Sequence, residues 1–275
     1  VRAELLDTTK KEGFSQRYKL LITIFGDGKH QLSHVIQSTI RNAHDGRQVV
    51  ITHEPYRHNS KRYTALRDFN SIVLNPETEN KLLHHISWFK RSKSYFRKHG
   101  LTYKTAILLK GPPGTGKTSI SRAVANYLNY NMFILNMTAL MEKGTREAQV
   151  PQIPENSLIL IEDIDKSLDT SEGKAIQTLM QMLDGMLSCD NTAFVITTNF
   201  PDKLPAELIR PGRINLQLDV GLFSITEAKR LAALYEVPYS IIQSLPEAIW
   251  SQPSALHEFV VNYSSREQEN NEVRR

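Results

Sequence analysis

Cysteine is nearly absent. Cys189 is the only one in 275 residues. An internal disulfide is excluded, and a reducing, cytoplasmic setting is expected. Long apolar runs are missing as well: none exceeds five residues, far short of the roughly 18 residues a membrane span needs, so no such span is expected. No charged segment followed by a long apolar one opens the chain, so no secretory leader is expected either. No internal repeat is visible. Neither sign of charge dominates, with 34 Lys and Arg against 29 Asp and Glu. The net +5 tolerates an acidic partner without demanding one. What is present, 40% hydrophobic and 23% charged residues, is ordinary for a globular protein, and the length allows one large domain or two modest ones.

Three regions separate by pattern. Residues 1–66 hold two β-like runs, "YKLLITIF" and "RQVVIT", around a glycine turn and a candidate helix, "HQLSHVIQSTI". They read as a small N-terminal α/β or β-rich domain, either whole or the end of a longer one. Over 67–220, the apolar runs "TAILLK", "NMFILNM", "SLILIED", "TAFVITTN" and "INLQLDV" alternate with helical stretches. Continuous apolar strands alternating with helices predict an α/β fold with a parallel sheet covered on both faces. Residues 221–265 turn helical in three segments, each preceded by a serine able to cap it. The polar residues 266–275 read as a flexible tail.

One short segment concentrates the chemistry. "GPPGTGKTS" fits G-x-x-x-x-G-K-[ST], with Gly111, Pro112, Pro113, Gly114, Thr115, Gly116, Lys117, Thr118 and Ser119 between a strand and a helix. Glycines let the backbone come close to a phosphate chain and wrap it with N–H groups, while the helix N-terminus favours the same negative charge. Lys117 is expected to reach the β and γ phosphates, and the Thr118 hydroxyl to ligate Mg²⁺. The bland alternative is a plain strand-to-helix turn.

Hydrolysis also needs acids near the metal and a group that orients water. "SLILIEDID" ends a buried strand in Glu162, Asp163 and Asp165, and the carboxyl end of a parallel strand lies where ligands bind. Glu162 is expected beside Mg²⁺, with Asp163 polarising the attacking water. Asn199, ending "TAFVITTN", is a candidate for holding that water or the γ-phosphate. Arg210 and Arg213 flank a Pro-Gly turn, and their planar donor forks suit a developing phosphoryl charge. An acidic turn, a turn asparagine and surface arginines are the competing readings.

Taken together, "GPPGTGKT", the "EDID" strand end, "LMQMLDG", "TTN" and "ELIRPGR" resemble the AAA family of ring-forming ATPases in order and spacing, over residues 68–263. Within that family, the stretch 69–119, the acid order Glu162–Asp163 and "QPSALHEFV" resemble the branch of the mitochondrial Rieske-protein translocase, a complex III assembly chaperone. The resemblance implies a P-loop NTPase sheet with flanking helices and a small C-terminal helical lid. It also implies ATP and Mg²⁺ as cofactors, and hydrolysis in a homo-oligomeric ring of six or seven subunits acting on an unknown protein client. Lys117, Thr118, Glu162, Asp163 and Asn199 would act in cis, with Arg210 and Arg213 reaching the neighbouring subunit's site.

Three departures limit it. The branch's membrane helix is missing from this sequence. The lid lacks a Gly-Ala-Arg motif, so no lid arginine is assigned to the phosphates. The stretch "LMEKGTRE" has no aromatic residue for gripping an unfolded chain. Other readings stay open: an AAA ATPase acting on nucleic acid in the manner of helicase or clamp loaders, or a scaffold that binds ATP without turnover. The basic, aromatic stretch "WFKRSKSYFRKHG" motivates the first, although Trp88, Phe89 and Phe96 at helical spacing read better as one apolar face. His30, His34 and His44 could form a metal site but read better as ordinary histidines.

Overall fold

The computed structural model describes residues 2–7, 18–23, 47–52, 60–137, 153–168, 174–185 and 190–273. It separates into two compact units, Val1–Arg47 and Gln48–Arg275. In the first, β1 (Arg2–Asp7) and β2 (Tyr18–Thr23) pair antiparallel with Leu5 opposite Leu20. The helix expected over "HQLSHVIQSTI", the histidines at 30, 34 and 44, Cys189 and the stretch "LMEKGTRE" lie outside the described residues.

The second unit is built on one seven-stranded sheet. Along the chain come β3 (Arg47–Thr52), β4 (Ser60–Ala65), α1 (Pro76–Arg91), α2 (Lys93–Lys98), β5 (Lys104–Lys110), α3 (Lys117–Leu128), β6 (Asn131–Ile134) and β7 (Ser157–Ile161). Then follow α4 (Ile164–Leu168), α5 (Lys174–Asp184), β8 (Thr192–Thr198) and β9 (Leu216–Asp219). The strand order is β4-β3-β6-β7-β8-β5-β9, and the pairings β3–β6, β6–β7, β7–β8, β8–β5 and β5–β9 are all parallel. This differs from the division expected at residue 66. β3 and β4 extend the main sheet, because "QVVIT" offers β6 a β-branched edge and pairs Val50, Ile51 and Thr52 with Met132, Phe133 and Ile134.

The central strands alternate two apolar faces. Ala106, Leu108, Ile159, Ile161, Phe194 and Ile196 face one core, shared with Leu179, Met182 and Leu183 of α5. Ile107, Leu109, Leu158, Leu160, Ala193 and Val195 face the other, covered by α1 and α3 through Leu82, Ile86, Phe89, Ile120 and Val124. α1 starts cleanly: the Asn75 side chain accepts from the Glu77 N–H, Pro76 takes the first position, and Glu77 and Glu79 sit in the first turn. Phe89 is fully buried and Phe96 partly so, but Trp88, expected on the same face, stays 44% exposed. It leans on the Phe96 ring at 5.9 Å.

A third apolar cluster belongs to α6 (Ile225–Leu234), α7 (Tyr239–Gln243), α8 (Glu247–Trp250) and α9 (Pro253–Val273). Of the three expected serine caps only Ser224 serves, in a capping box with Glu227. Pro238 precedes α7, and Ser251 ends α8. α9 runs through to Val273, taking in residues expected as a flexible tail. Arg, Glu and Gln supply five of the eight residues 266–273, with no Gly or Pro to stop a helix. Among the described residues no helix is long and apolar enough to cross a membrane.

Candidate active site

β5 leaves the sheet between two neighbours, and the glycines of its loop follow from that crowding. The Gly111 N–H donates to Thr198 O (3.2 Å), and the Val220 N–H donates to Lys110 O (2.7 Å). A Cβ on Gly111 would stand 2.0 Å from Val220 O, so no larger residue fits. The chain then turns into α3 through Gly116, whose φ of 88° is left-handed. Thr115 braces the loop by donating to Pro112 O (2.9 Å).

Lys117 is only 7% exposed. Its ammonium donates to Gly111 O (2.7 Å), Pro112 O (2.8 Å) and Asn199 Oδ1 (2.8 Å). Burial lowers its pKa, opposed by the charges of Asp163 and Asp165. Pro113 to Ser119 line the cavity above the loop, whereas Gly111 and Pro112 act from behind through the carbonyls that hold Lys117.

The two acids at the end of β7 diverge. The Thr118 hydroxyl donates to Glu162 Oε1 at 2.5 Å. Asp163 takes a left-handed φ of 46°, sparsely populated except by Asp and Asn. Its N–H donates to Thr197 Oγ1 (3.0 Å), which turns its side chain toward Asn199. Asn199 Nδ2 donates to Asp163 Oδ1 (3.0 Å), and Lys166 pairs with Oδ2 (2.5 Å). The sequence-predicted residues Lys117, Thr118, Glu162, Asp163 and Asn199 therefore all line one cavity. Sequence reasoning named Asp165 among the acids but gave it no supporting role, and it missed Thr197. Asp165, 2% exposed, accepts from Thr198 Oγ1 (2.7 Å) and the Asn199 N–H (3.0 Å). Burial pushes the Asp165 pKa up, but these hydrogen bonds outweigh it and hold the carboxyl below its usual value. The two threonines ending an apolar strand were the available signal.

The other half of the cavity was not foreseen. The whole space is ≈ 560 Å³, within the range of small-molecule sites. Beyond the loop it is bounded by Ile72, Val73 and Leu74 on one side and by Phe223, Leu231, Pro253 and His257 on the other. The linker 72–74 alternates: Ile72 and Leu74 enter the sheet core, and Val73 enters the helical core. The Ser254 N–H donates to Gly114 O (3.0 Å), tying α9 to the loop, and His257 pairs with the Tyr235 hydroxyl at 2.7 Å.

Arg210 and Arg213 do not line this cavity. Arg213 binds both carboxylate oxygens of Asp184 (2.7 and 2.8 Å) and donates to Glu207 O (2.7 Å). The fork holds the Asp184 carboxyl below its usual pKa. Arg210 is exposed.

A triphosphate fits the phosphate half, which offers loop N–H groups, a buried ammonium and a helix N-terminus. A divalent cation fits beside Thr118 and Glu162, since Mg²⁺ is commonly held by one or two protein oxygens plus substrate phosphates. Among the described residues no three His, Cys, Asp or Glu side chains cluster to hold a metal ion by themselves.

Residues 107–222 match the family "ATPase family associated with various cellular activities (AAA)", whose members use ATP with Mg²⁺. AAA-ATPase At3g50940 of Arabidopsis thaliana is 30% identical over 182 residues, and AAA-ATPase At3g28600 of the same plant is 32% identical over 193. Each match covers 61% of this chain and 40% of the relative. AAA-ATPase At5g17760 is 28% identical over 223 residues, 73% of this chain and 44% of its own length. The chain thus spans less than half the length of these relatives. The cradle around Lys117, the divergent acids and these likenesses coincide over one stretch of sequence: residues 107–222 are similar to the ATPase domain of the AAA family.

Proposed function

We propose that this chain binds ATP with Mg²⁺, hydrolyses it, and works as a homo-oligomeric ring of six or seven subunits that remodels or moves a protein client. The observation that carries the hydrolytic reading is the separation of the two acids: Glu162 turns to the Thr118 hydroxyl and Asp163 to Asn199. Lys117 holds the β and γ phosphates. Thr118 and Glu162 hold Mg²⁺, which when bound draws negative charge from the transferring phosphoryl group. Asn199 orients a water against the γ-phosphate, and Asp163 accepts its proton. Lys166 leaves the Asp163 carboxylate as that proton arrives.

The division of labour extends to domains. Residues 67–220 bind nucleotide, and 221–265 act as a lid that completes the base slot through Leu231 and His257. Arg210 completes the site of the neighbouring subunit, which its exposure and its position outside its own cavity favour. The acid order and "QPSALHEF" support the translocase-like branch, whose client is a folded protein.

A steady-state ATPase assay with Mg²⁺ tests the reading. Asp163→Asn should keep ATP bound and slow hydrolysis by about 10²-fold or more, whereas Glu162→Gln should chiefly weaken the Mg²⁺ dependence of binding. Exchanged phenotypes would reverse the two roles, and absent turnover by the wild type would sink the enzyme reading.

A further inference from the structure

The cavity carries a positive charge with no partner among the described residues. Arg67 precedes the linker and lines the cavity in company with His257. Its Nε is buried without a hydrogen-bond partner, a costly state for a charged donor. No ion pair joins it to the adjacent Asp68, whose Oδ1 accepts the Asn70 N–H (2.9 Å). The two groups on which its charge acts, Arg122 and His257, are basic. After burial, the Arg67 charge is the next cause lowering the pKa of both Arg122 and His257. Arg122 has its own acceptors, Thr64 Oγ1 and Ala65 O (2.8 Å).

The Arg67 backbone is placed independently of its side chain, since Asn126 Nδ2 donates to Arg67 O (3.1 Å). Arg122 and Asn126 lie one to three turns along α3 past Lys117, roughly 7 to 13 Å along the helix at its usual rise. Arg67 therefore borders the part of the cavity beyond the phosphate loop. A nucleotide gripped at its β and γ phosphates by Lys117 would carry its α-phosphate and sugar there.

We propose that Arg67 is a nucleotide-binding residue whose guanidinium donates to oxygen acceptors at the α-phosphate and ribose end of the bound nucleotide. The inference rests on the nucleotide-site reading above. The linker then grips the ligand by charge as well as by the apolar contacts of Ile72 and Val73. The contact is common to ATP and ADP, so it adds affinity without favouring the transition state.

Calorimetric titration of the full chain with ADP, compared between wild type and Arg67→Ala, tests it. A hydrogen bond to a charged group corresponds to a roughly tenfold or larger rise in Kd. At saturating ATP, kcat should stay within about twofold while KM rises, the signature of lost uniform binding. An equal loss with 2′,3′-dideoxy-ADP assigns the contact to the phosphate; a loss confined to ADP assigns it to the sugar hydroxyls. Should Arg67→Ala fail to fold, Arg67→Gln keeps much of the stem and should weaken ADP by about fivefold or more. Unchanged ADP affinity in either folded variant overturns the proposal while leaving the nucleotide site standing. Failure of the wild type to bind ADP or ATP removes both.

Discussion

The two ends of the cavity are built by different physics. At the phosphate end, polar groups converge from the ends of β5, β7 and β8, and Lys117, Thr118, Asp163 and Asn199 each have a hydrogen-bond partner. At the base end, Val73 and Leu231 converge from the linker and α6 and are held by burial in the helical core. The ties across this second end are few: Ser254 N–H to Gly114 O, and Arg230 to Leu74 O (2.8 Å) and Glu79 Oε2 (2.9 Å). The phosphate end is therefore preorganised by the sheet, whereas the base end depends on how the helical cluster packs against the linker. Substitutions at the first should alter ligand chemistry with little effect on stability, and substitutions at the second should do the reverse.

The strongest break is Lys117→Ala. It removes the one ammonium of the cradle and should abolish detectable nucleotide binding by calorimetry, with the melting temperature near that of wild type. Tight ATP binding by that variant would overturn the account of the phosphate end.

Arg210→Ala comes next and asks whether the phosphate end is complete within one chain. It should fold and bind ATP but hydrolyse it about 10³-fold more slowly or worse. Mixed with Lys117→Ala chains, each inactive alone, it should regain part of the activity, because one subunit offers an intact loop and the other an intact arginine. No recovery in demonstrably mixed rings would mean that the residue acts within its own subunit. Arg213 is the poorer choice for this experiment, since its fork on Asp184 also ties its turn to the end of α5.

Leu231→Ala probes the base end. Leu231 is 4% exposed in the helical core, so stability should fall by about 2–4 kcal/mol, while nucleotide affinity drops by less than about tenfold. A variant that loses affinity but no stability in denaturant titration would contradict the comparison.

The smallest effect is on pH dependence. Burial, and then the charge of Arg67, lower the His257 pKa from 6.5. The unfolded chain then holds that proton more tightly, so the stability contribution is full above about pH 6.5 and is lost as pH falls through the folded value. At the phosphate end the Asp165 pKa is lowered from 3.8, so its contribution persists until pH falls below about 4. Thermal melts from neutral to mildly acidic pH should show a shallow decline that His257→Gln flattens. An unchanged slope in that variant would remove His257 as its cause.

The phosphate end was legible because its chemistry is local. A glycine loop between a strand and a helix, and acids ending an apolar strand, bring their groups to one sheet edge by parallel topology alone. Asp165 and Thr197 were harder to read because their role is to hold Asp163 and Asn199, and a supporting hydrogen bond leaves no spacing rule in the chain. β3 was assigned to the N-terminal unit because strand composition does not say which edge a strand will join, and β4, with its polar sequence "SKRYTA", was not read as a strand.

By itself the sequence determined the α/β class, the parallel sheet and the gathering of Lys117, Thr118, Glu162, Asp163 and Asn199 at one cavity, since periodicity and short motifs encode contacts between near neighbours. Only the tertiary structure decided that Val73 and Leu231 border the far end of the cavity, that Arg213 is held by Asp184, and that the Arg67 Nε is buried beside the cavity without a partner among the described residues. Those contacts join residues far apart in the chain, or depend on a partner's being absent, and both are properties of packing in three dimensions that no local pattern records.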